Sequence, residues 1–128
     1  MEEGVARAVS RCVEMASLPG VPCPCGTSHR AFAGEGKGAF SLHLVEISKD
    51  SRAHYHRKLT EVYYFLEGVG QLEMDGALFD VGPGMAVLIP PGVRHRAVPG
   101  RDRMKVLNFV MPAFDPADEW FDADADGR

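Results

Sequence analysis

The stretch His54-Tyr55-His56-Arg57-Lys58-Leu59-Thr60-Glu61 decides how the rest of the chain is read. Side chains alternate faces along a strand, so His54 and His56 project together and can grip one ion. Glu61 lies an odd number of residues past His56, and an unbroken strand would turn it away. The polar run Arg57-Lys58-Leu59-Thr60 must then hold a turn or bulge that resets the register and returns Glu61 to the shared side. A third imidazole, His95, follows a Pro90-Pro91-Gly92 turn. Three imidazoles and one carboxylate are the donor set of a catalytic transition-metal site. Neutral imidazole suits zinc (Zn), copper (Cu), iron (Fe) and nickel (Ni), and the carboxylate widens the range toward manganese (Mn), so one divalent transition metal ion is the expected cofactor. Ligands on one side of such an ion leave positions on the other for water or substrate. A single His-x-His is more often a pair of exposed strand residues; the joint presence of Glu61 and His95 favours the metal.

On both sides of this stretch the pattern is that of short strands. Phe40, Leu42, Leu44, Val45 and Ile47 suggest one, and Val62-Tyr63-Tyr64-Phe65-Leu66 another, dense in β-branched and aromatic residues. Gly70 to Met74 and Ala77 to Val81 flank Asp75-Gly76, a dipeptide suited to a two-residue hairpin turn. Further strands are expected at Met85–Ile89, His95–Val98 and Lys105–Met111. Many short strands separated by Gly/Pro turns, with no long helical pattern after residue 40, predict an all-β antiparallel barrel or sandwich. Before it, Val5, Val9, Cys12 and Val13 fit either a short helix within Glu2–Ala16 or an irregular arm. Pro19 to Gly26 is too rich in proline and glycine for regular structure. After Pro112 the chain turns acidic through Asp115, Asp118, Glu119, Asp122, Asp124 and Asp126, with Phe114, Trp120 and Phe121 available to pack on the barrel.

The chain has 128 residues, 45% hydrophobic and 25% charged, which is room for one domain with one core. A formal charge of −4 gives no cationic footprint for phosphate backbones or anionic lipid, so neither nucleic acid nor membrane is an expected partner. No apolar run approaches the roughly 20 residues of a membrane span, and Met1-Glu2-Glu3 lacks the positive start of a secretory signal, so the expected location is cytoplasmic. Three cysteines, Cys12, Cys23 and Cys25, are an odd number crowded near one end, which predicts thiols rather than a disulfide framework.

The motifs resemble those of the cupin superfamily. Its first motif reads Gly, five residues, His-x-His, three or four residues, Glu, six residues, Gly; here His54-Tyr55-His56 is followed by four residues, Glu61, six more and Gly68. The second reads Gly, five residues, Pro-x-Gly, two residues, His, three residues, Asn; here Gly84 leads by five residues to Pro90-Pro91-Gly92 and then His95. Ser48 and Pro99 replace the opening Gly and the closing Asn, neither of them a ligand position in the family. The resemblance implies a jelly-roll β-barrel over residues 40–112, with an N-terminal arm at 1–39 packing on it and a short acidic tail at 113–128. It also implies a metal held by His54, His56, Glu61 and His95, and a homodimer; the arm before residue 40 could add a strand to a neighbour's sheet edge, satisfying backbone groups that would otherwise be exposed. If the protein is an enzyme, the resemblance suggests a dioxygenase, decarboxylase or isomerase acting on a small organic acid or sugar; the alternative is a non-catalytic module that holds or senses a small-molecule ligand. The scaffold hosts many chemistries, so it does not select among them.

Other residues keep two readings each. Tyr63 and Phe65 share the parity of Glu61 and either line the cavity or fill the barrel. Arg52 shares the parity of His54 and either pairs with a substrate carboxylate at the mouth or is solvated. Arg94 and Arg96 have the opposite parity to His95 and are read as outward-facing. Cys23-Pro24-Cys25 with His29 is either a soft metal site or a stiff loop covering one barrel end. His43 is either a cavity residue or a satisfied sheet histidine.

Overall fold

Nine strands carry the fold in the computed structural model, which describes residues 10–122. They are β1 (Gly20–Cys23), β2 (Gly26–Ala31), β3 (Ser41–Ile47), β4 (Thr60–Glu67), β5 (Gly70–Met74), β6 (Ala77–Val81), β7 (Ala86–Ile89), β8 (His95–Pro99) and β9 (Met104–Met111). Every pairing is antiparallel. One sheet has the order β1-β2-β3-β9-β4-β7 and the other β6-β5-β8, the two-layer arrangement of a jelly roll. The β5–β6 hairpin turns on Asp75-Gly76, both at positive φ (49° and 88°), as a two-residue primed turn requires.

The inner faces of the two sheets share one core of Ile47, Phe65, Leu72, Val81, Ile89, Ala97, Met104 and Val106. Phe65 and Leu72 are fully buried, and side chains of this kind each contribute about 1.5–3 kcal/mol. Register then decides which polar residues join the interior. One row across the large sheet reads Arg30, His43, Asn108, Tyr63, Val87, and the next row on the same face reads Ser41, Val110, Glu61, Ile89. The intervening row, Leu42, Phe109, Val62, Leu88, faces outward.

From Ser10 to Leu18 the chain is irregular apart from a 3-10 turn at Met15–Ser17, and Val5 and Val9 lie outside the described residues. The expectation that Pro19 to Gly26 is irregular is corrected: it contains β1. Pro22 is tolerated there because β1 is an edge strand that pairs only with β2, so its missing N–H interrupts no central ladder. Strands β1 and β2 extend this chain's own sheet through β3. At the other end Trp120 bridges to Tyr55, and the backbone N–H of Phe114 donates to Ser41 Oγ, so the described part of the acidic tail folds back onto the sheets; Asp124 and Asp126 lie outside the described residues. Among the described residues no helix is long and apolar enough to cross a membrane.

Candidate metal centre and its cavity

The segment that carries His54 and His56 is shorter than a strand. His54 forms an isolated antiparallel bridge with His95, each backbone N–H donating to the other's carbonyl (3.1 and 2.8 Å), and this places their imidazoles side by side. The chain then bends at Arg57-Lys58 before β4 starts at Thr60. This is the break the parity of Glu61 demands, and a residue from the acidic tail holds it. The buried Asp118 carboxylate accepts the backbone N–H groups of Arg57 (2.9 Å), Lys58 (2.9 Å) and Leu59 (3.2 Å), and the indole N–H of Trp120 (3.0 Å). Burial alone would raise its pKa, but these donors outweigh it and hold the carboxyl below its usual range. The Arg57 guanidinium closes over the Trp120 ring at 3.6 Å.

Hydrogen bonds set the tautomer of each imidazole. Nδ1 of His56 lies 2.6 Å from the Asp118 carbonyl, that of His95 2.9 Å from the Val93 carbonyl, and that of His54 3.3 Å from the Arg52 carbonyl. A carbonyl oxygen can only accept, so each Nδ1 carries the proton and each Nε2 presents a lone pair. One ring nitrogen from each histidine lies within 4.8 Å of the others. Glu61 Oε1 stands 3.1 Å from His95 Nε2 and 3.5 Å from His56 Nε2, the spacing of neighbours around one small cation with bonds of about 2.0–2.2 Å.

These three atoms, His56 Nε2, His95 Nε2 and Glu61 Oε1, are buried and have no hydrogen-bond partner. Orphaned acceptors facing one another are costly unless a positive charge sits between them, so the donor set fits a metal ion. The electrostatics agree. Burial opposes the Glu61 charge, but His56 and His95 more than offset it and hold the carboxyl well below its ordinary range. Burial likewise opposes charge on His56, and Glu61 reverses the balance so that its pKa is raised. His54 is lowered to about 4, first by burial and then by His95. Backbone carbonyls behind each imidazole are the outer contacts that orient metal-binding histidines.

Asn108 completes this shell. Its Nδ2 donates to Glu61 Oε2 at 2.9 Å, which fixes the carboxylate with Oε1 toward the imidazoles. Outer-shell partners of this kind are each worth about 10–100-fold in metal affinity. Asn108→Leu should therefore weaken zinc binding by about that factor, measured by competition with a chromophoric chelator. An unchanged affinity would show that Glu61 is oriented without it.

The centre opens into a cavity of about 360 Å³, a volume suited to a small molecule. Its wall includes Arg30, His43, His54, His56, Glu61, Tyr63, Asn108 and Glu119. Of the residues expected to meet substrate, Tyr63 lines this cavity, and burial raises its phenol well above the ordinary range. Phe65 does not, despite sharing its parity: it lies one register step further along β4, at 0% exposure, where the two sheets meet. Arg52 also stands apart from this wall. Its guanidinium lies over the Phe121 ring at 4.2 Å, and the side chain is not part of the cavity wall. Arg94 and Arg96 pair outward with Asp122 and Glu73. His43 satisfies both of its readings: it lines the cavity, and its ring nitrogens meet Ser41 Oγ (2.8 Å) and Ser28 Oγ (3.4 Å). Burial, then Arg30, lowers its pKa to about 4.

His29 does not join Cys23 and Cys25. It sits on the outer face of β2, with Nδ1 on the Leu18 carbonyl and Nε2 3.6 Å from Glu46, so the three residues form no common site. Sequence reasoning missed Arg30, Asn108, Asp118 and Glu119. Asn108 carried a visible signal, an amide in the middle of the apolar run Val106-Leu107-Asn108-Phe109-Val110. Arg30 gave none, because β2 was not expected.

Comparison with known proteins agrees with this architecture. The family model for the cupin domain matches residues 41–110. A structure of a protein from Planctomyces limnophilus superposes with a TM-score of 0.83 at 37% identity, covering 89% of this chain and 98% of the other. An uncharacterized protein of Methanocaldococcus jannaschii is 30% identical over 76 residues, 59% of this chain and 61% of its own length. L-ectoine synthase of Bordetella avium is 30% identical over 88 residues, 66% of this chain and 67% of its own length. The chain thus spans less than two thirds of the Methanocaldococcus protein and about two thirds of the synthase.

Proposed function

Because the chain belongs to the cupin domain family, we propose that it is a metal-dependent enzyme acting on a small oxygenated acid, by dioxygenase, decarboxylase or isomerase chemistry. The observation that carries this reading is the convergence of His54, His56, His95 and Glu61, with three orphaned donor atoms, beside a cavity whose wall includes His54, His56 and Glu61. Bound there, a divalent transition metal ion would polarise a carbonyl or hold an oxygenated substrate in place. The similarity to a protein named as a synthase supports an enzymatic reading.

The chain's own residues favour an anionic substrate. Arg30 lines the cavity with its guanidinium 4.5 Å above the Phe114 ring, and its Nε is buried without a hydrogen-bond partner. A guanidinium in that state is suited to a carboxylate or an acidic sugar. Asn108 keeps Glu61 turned to the imidazoles, and Tyr63 contributes a neutral phenol. Glu119, whose pKa is raised first by burial, is the cavity carboxyl suited to holding a proton.

The test is turnover by metal-loaded protein of a panel of small keto, hydroxy and sugar acids, with neutral sugars as controls. Acids should react and neutral sugars should not. Arg30→Met should raise KM for the reacting acid by about tenfold or more, as expected for a lost charge-assisted contact. Tight binding of an acid without product would favour the alternative, a non-catalytic binding or sensing module. No binding at all would overturn both.

Assembly is proposed to be homodimeric through the outer row of the large sheet. Leu88 is 62% and Phe109 44% exposed there, beside Val62 and Leu42. Sedimentation should find a dimer at micromolar concentration that Leu88→Asp converts to monomer; a wild-type monomer would remove this assignment.

A further inference from the structure

Cys23-Pro24-Cys25 is the motif that the metal reading does not absorb. Cys23 and Cys25 line the same cavity as Glu61 and His56, and their sulfurs lie 3.7 Å apart. The turn that carries them is fixed at both ends. Cys23 pairs with Gly26 in the β1–β2 hairpin, and the Cys25 carbonyl accepts the backbone N–H groups of Ser48 (2.9 Å) and Lys49 (3.3 Å). Gly26 is packed so tightly on β3 that a Cβ there would collide with the Glu46 carbonyl oxygen. The two thiols are therefore held in contact by the backbone. His29 faces the opposite side of the sheet, and among the described residues the pair belongs to no group of three or more donors such as a closed tetrahedral metal site needs.

We propose that Cys23 and Cys25 are a redox-active dithiol in the cavity wall, oxidised reversibly to an intramolecular disulfide by a low-molecular-weight disulfide such as oxidised glutathione. The Cys23 thiolate attacks one sulfur of that disulfide, an S–S bond breaks, and one glutathione leaves as its thiolate. Cys25 then loses its proton and attacks the Cys23 sulfur, forming the Cys23–Cys25 bond and releasing the second glutathione. Two protein thiols are oxidised by two electrons, and one disulfide is reduced to two thiols. Contact with Cys25 brings the Cys23 thiol down to about 7, which suits it to be the attacking group, while the same contact pushes Cys25 up. The sulfurs must approach from 3.7 Å to about 2.05 Å, a change that side-chain rotation can supply. A bridge that spans a single residue closes a short ring, and strained disulfides are the readily reduced, regulatory kind. Oxidation would remove two thiols from the cavity wall that Glu61 and His56 share.

The experiment uses the full chain with Cys12→Ser, which removes the exposed third thiol and leaves only the pair. Reduced protein is equilibrated across a series of glutathione redox buffers, quenched with an alkylating agent and weighed intact. The expected result is joint loss of both alkylation sites with no glutathione attached, reversed by dithiothreitol. Adding Cys25→Ser should instead trap a glutathione adduct on Cys23. Persistence of both thiols in the most oxidising buffer, a stable adduct beside a still-alkylated partner, or a disulfide between two chains would overturn the proposal. The mass readout does not involve the metal, so failure here leaves the metal reading intact.

Discussion

Replacing His56 with alanine should reduce bound metal from about one ion per chain to less than a tenth of that, by elemental analysis of protein purified without added metal. His56 is buried, its Nδ1–H is committed to the Asp118 carbonyl, and its Nε2 faces Glu61. Alanine removes one of four donors and leaves Glu61 Oε1 facing His95 alone. Loss of a ligand should exceed the 10–100-fold cost typical of an outer-shell contact. The fold itself should survive, because the nearby bend is held by Asp118 and not by the imidazole. Full metal retention in a folded His56→Ala protein would show that the ion lies elsewhere.

The second large effect belongs to Asp118. Alanine there strands the backbone N–H groups of Arg57, Lys58 and Leu59 and frees the Trp120 indole from its acceptor. Hydrogen bonds to a charged group are worth about 1.5–3 kcal/mol each, and these act together on one bend, so a loss of about 3 kcal/mol is expected. For a chain of this size that lowers Tm by about 10–15 °C. Metal occupancy should fall as well, since the bend spaces His56 from Glu61. The pH dependence has a definite sign. The carboxyl is depressed in the folded state, so its contribution is present above the unfolded value near 3.8 and is lost as pH falls toward the folded value. The stability gap between wild type and Asp118→Asn should narrow below about pH 4. A gap that stays constant through that range would mean the carboxylate charge is not what holds the bend.

The barrel was legible because its strands obey simple periodicity. β5 and β6 fall where Asp75-Gly76 places them, and the register of β4 follows from Val62 to Leu66. The four candidate ligands are legible from spacing, and the parity of Glu61 demands a break ahead of it in the chain. What held that break was not legible. Asp118 lies about sixty residues away in sequence, among acidic neighbours that share its composition but not its burial. Composition cannot show that one carboxylate of a charged run is turned inward. Arg30 was hidden for a related reason: proline and glycine signalled a loop, yet Pro22 sits on an edge strand where its lost N–H is harmless, and with β1 goes β2. Phe65 shows the limit of parity, which gives a residue's face but not its depth along the strand.

The measurement that tests the metal centre most directly is an anomalous-difference map from crystals of protein purified without added metal. It should show one strong peak within about 2.0–2.2 Å of a nitrogen from each of His54, His56 and His95 and an oxygen of Glu61. No peak between those side chains, or a strong metal peak bound between the sulfurs of Cys23 and Cys25 instead, would contradict the account.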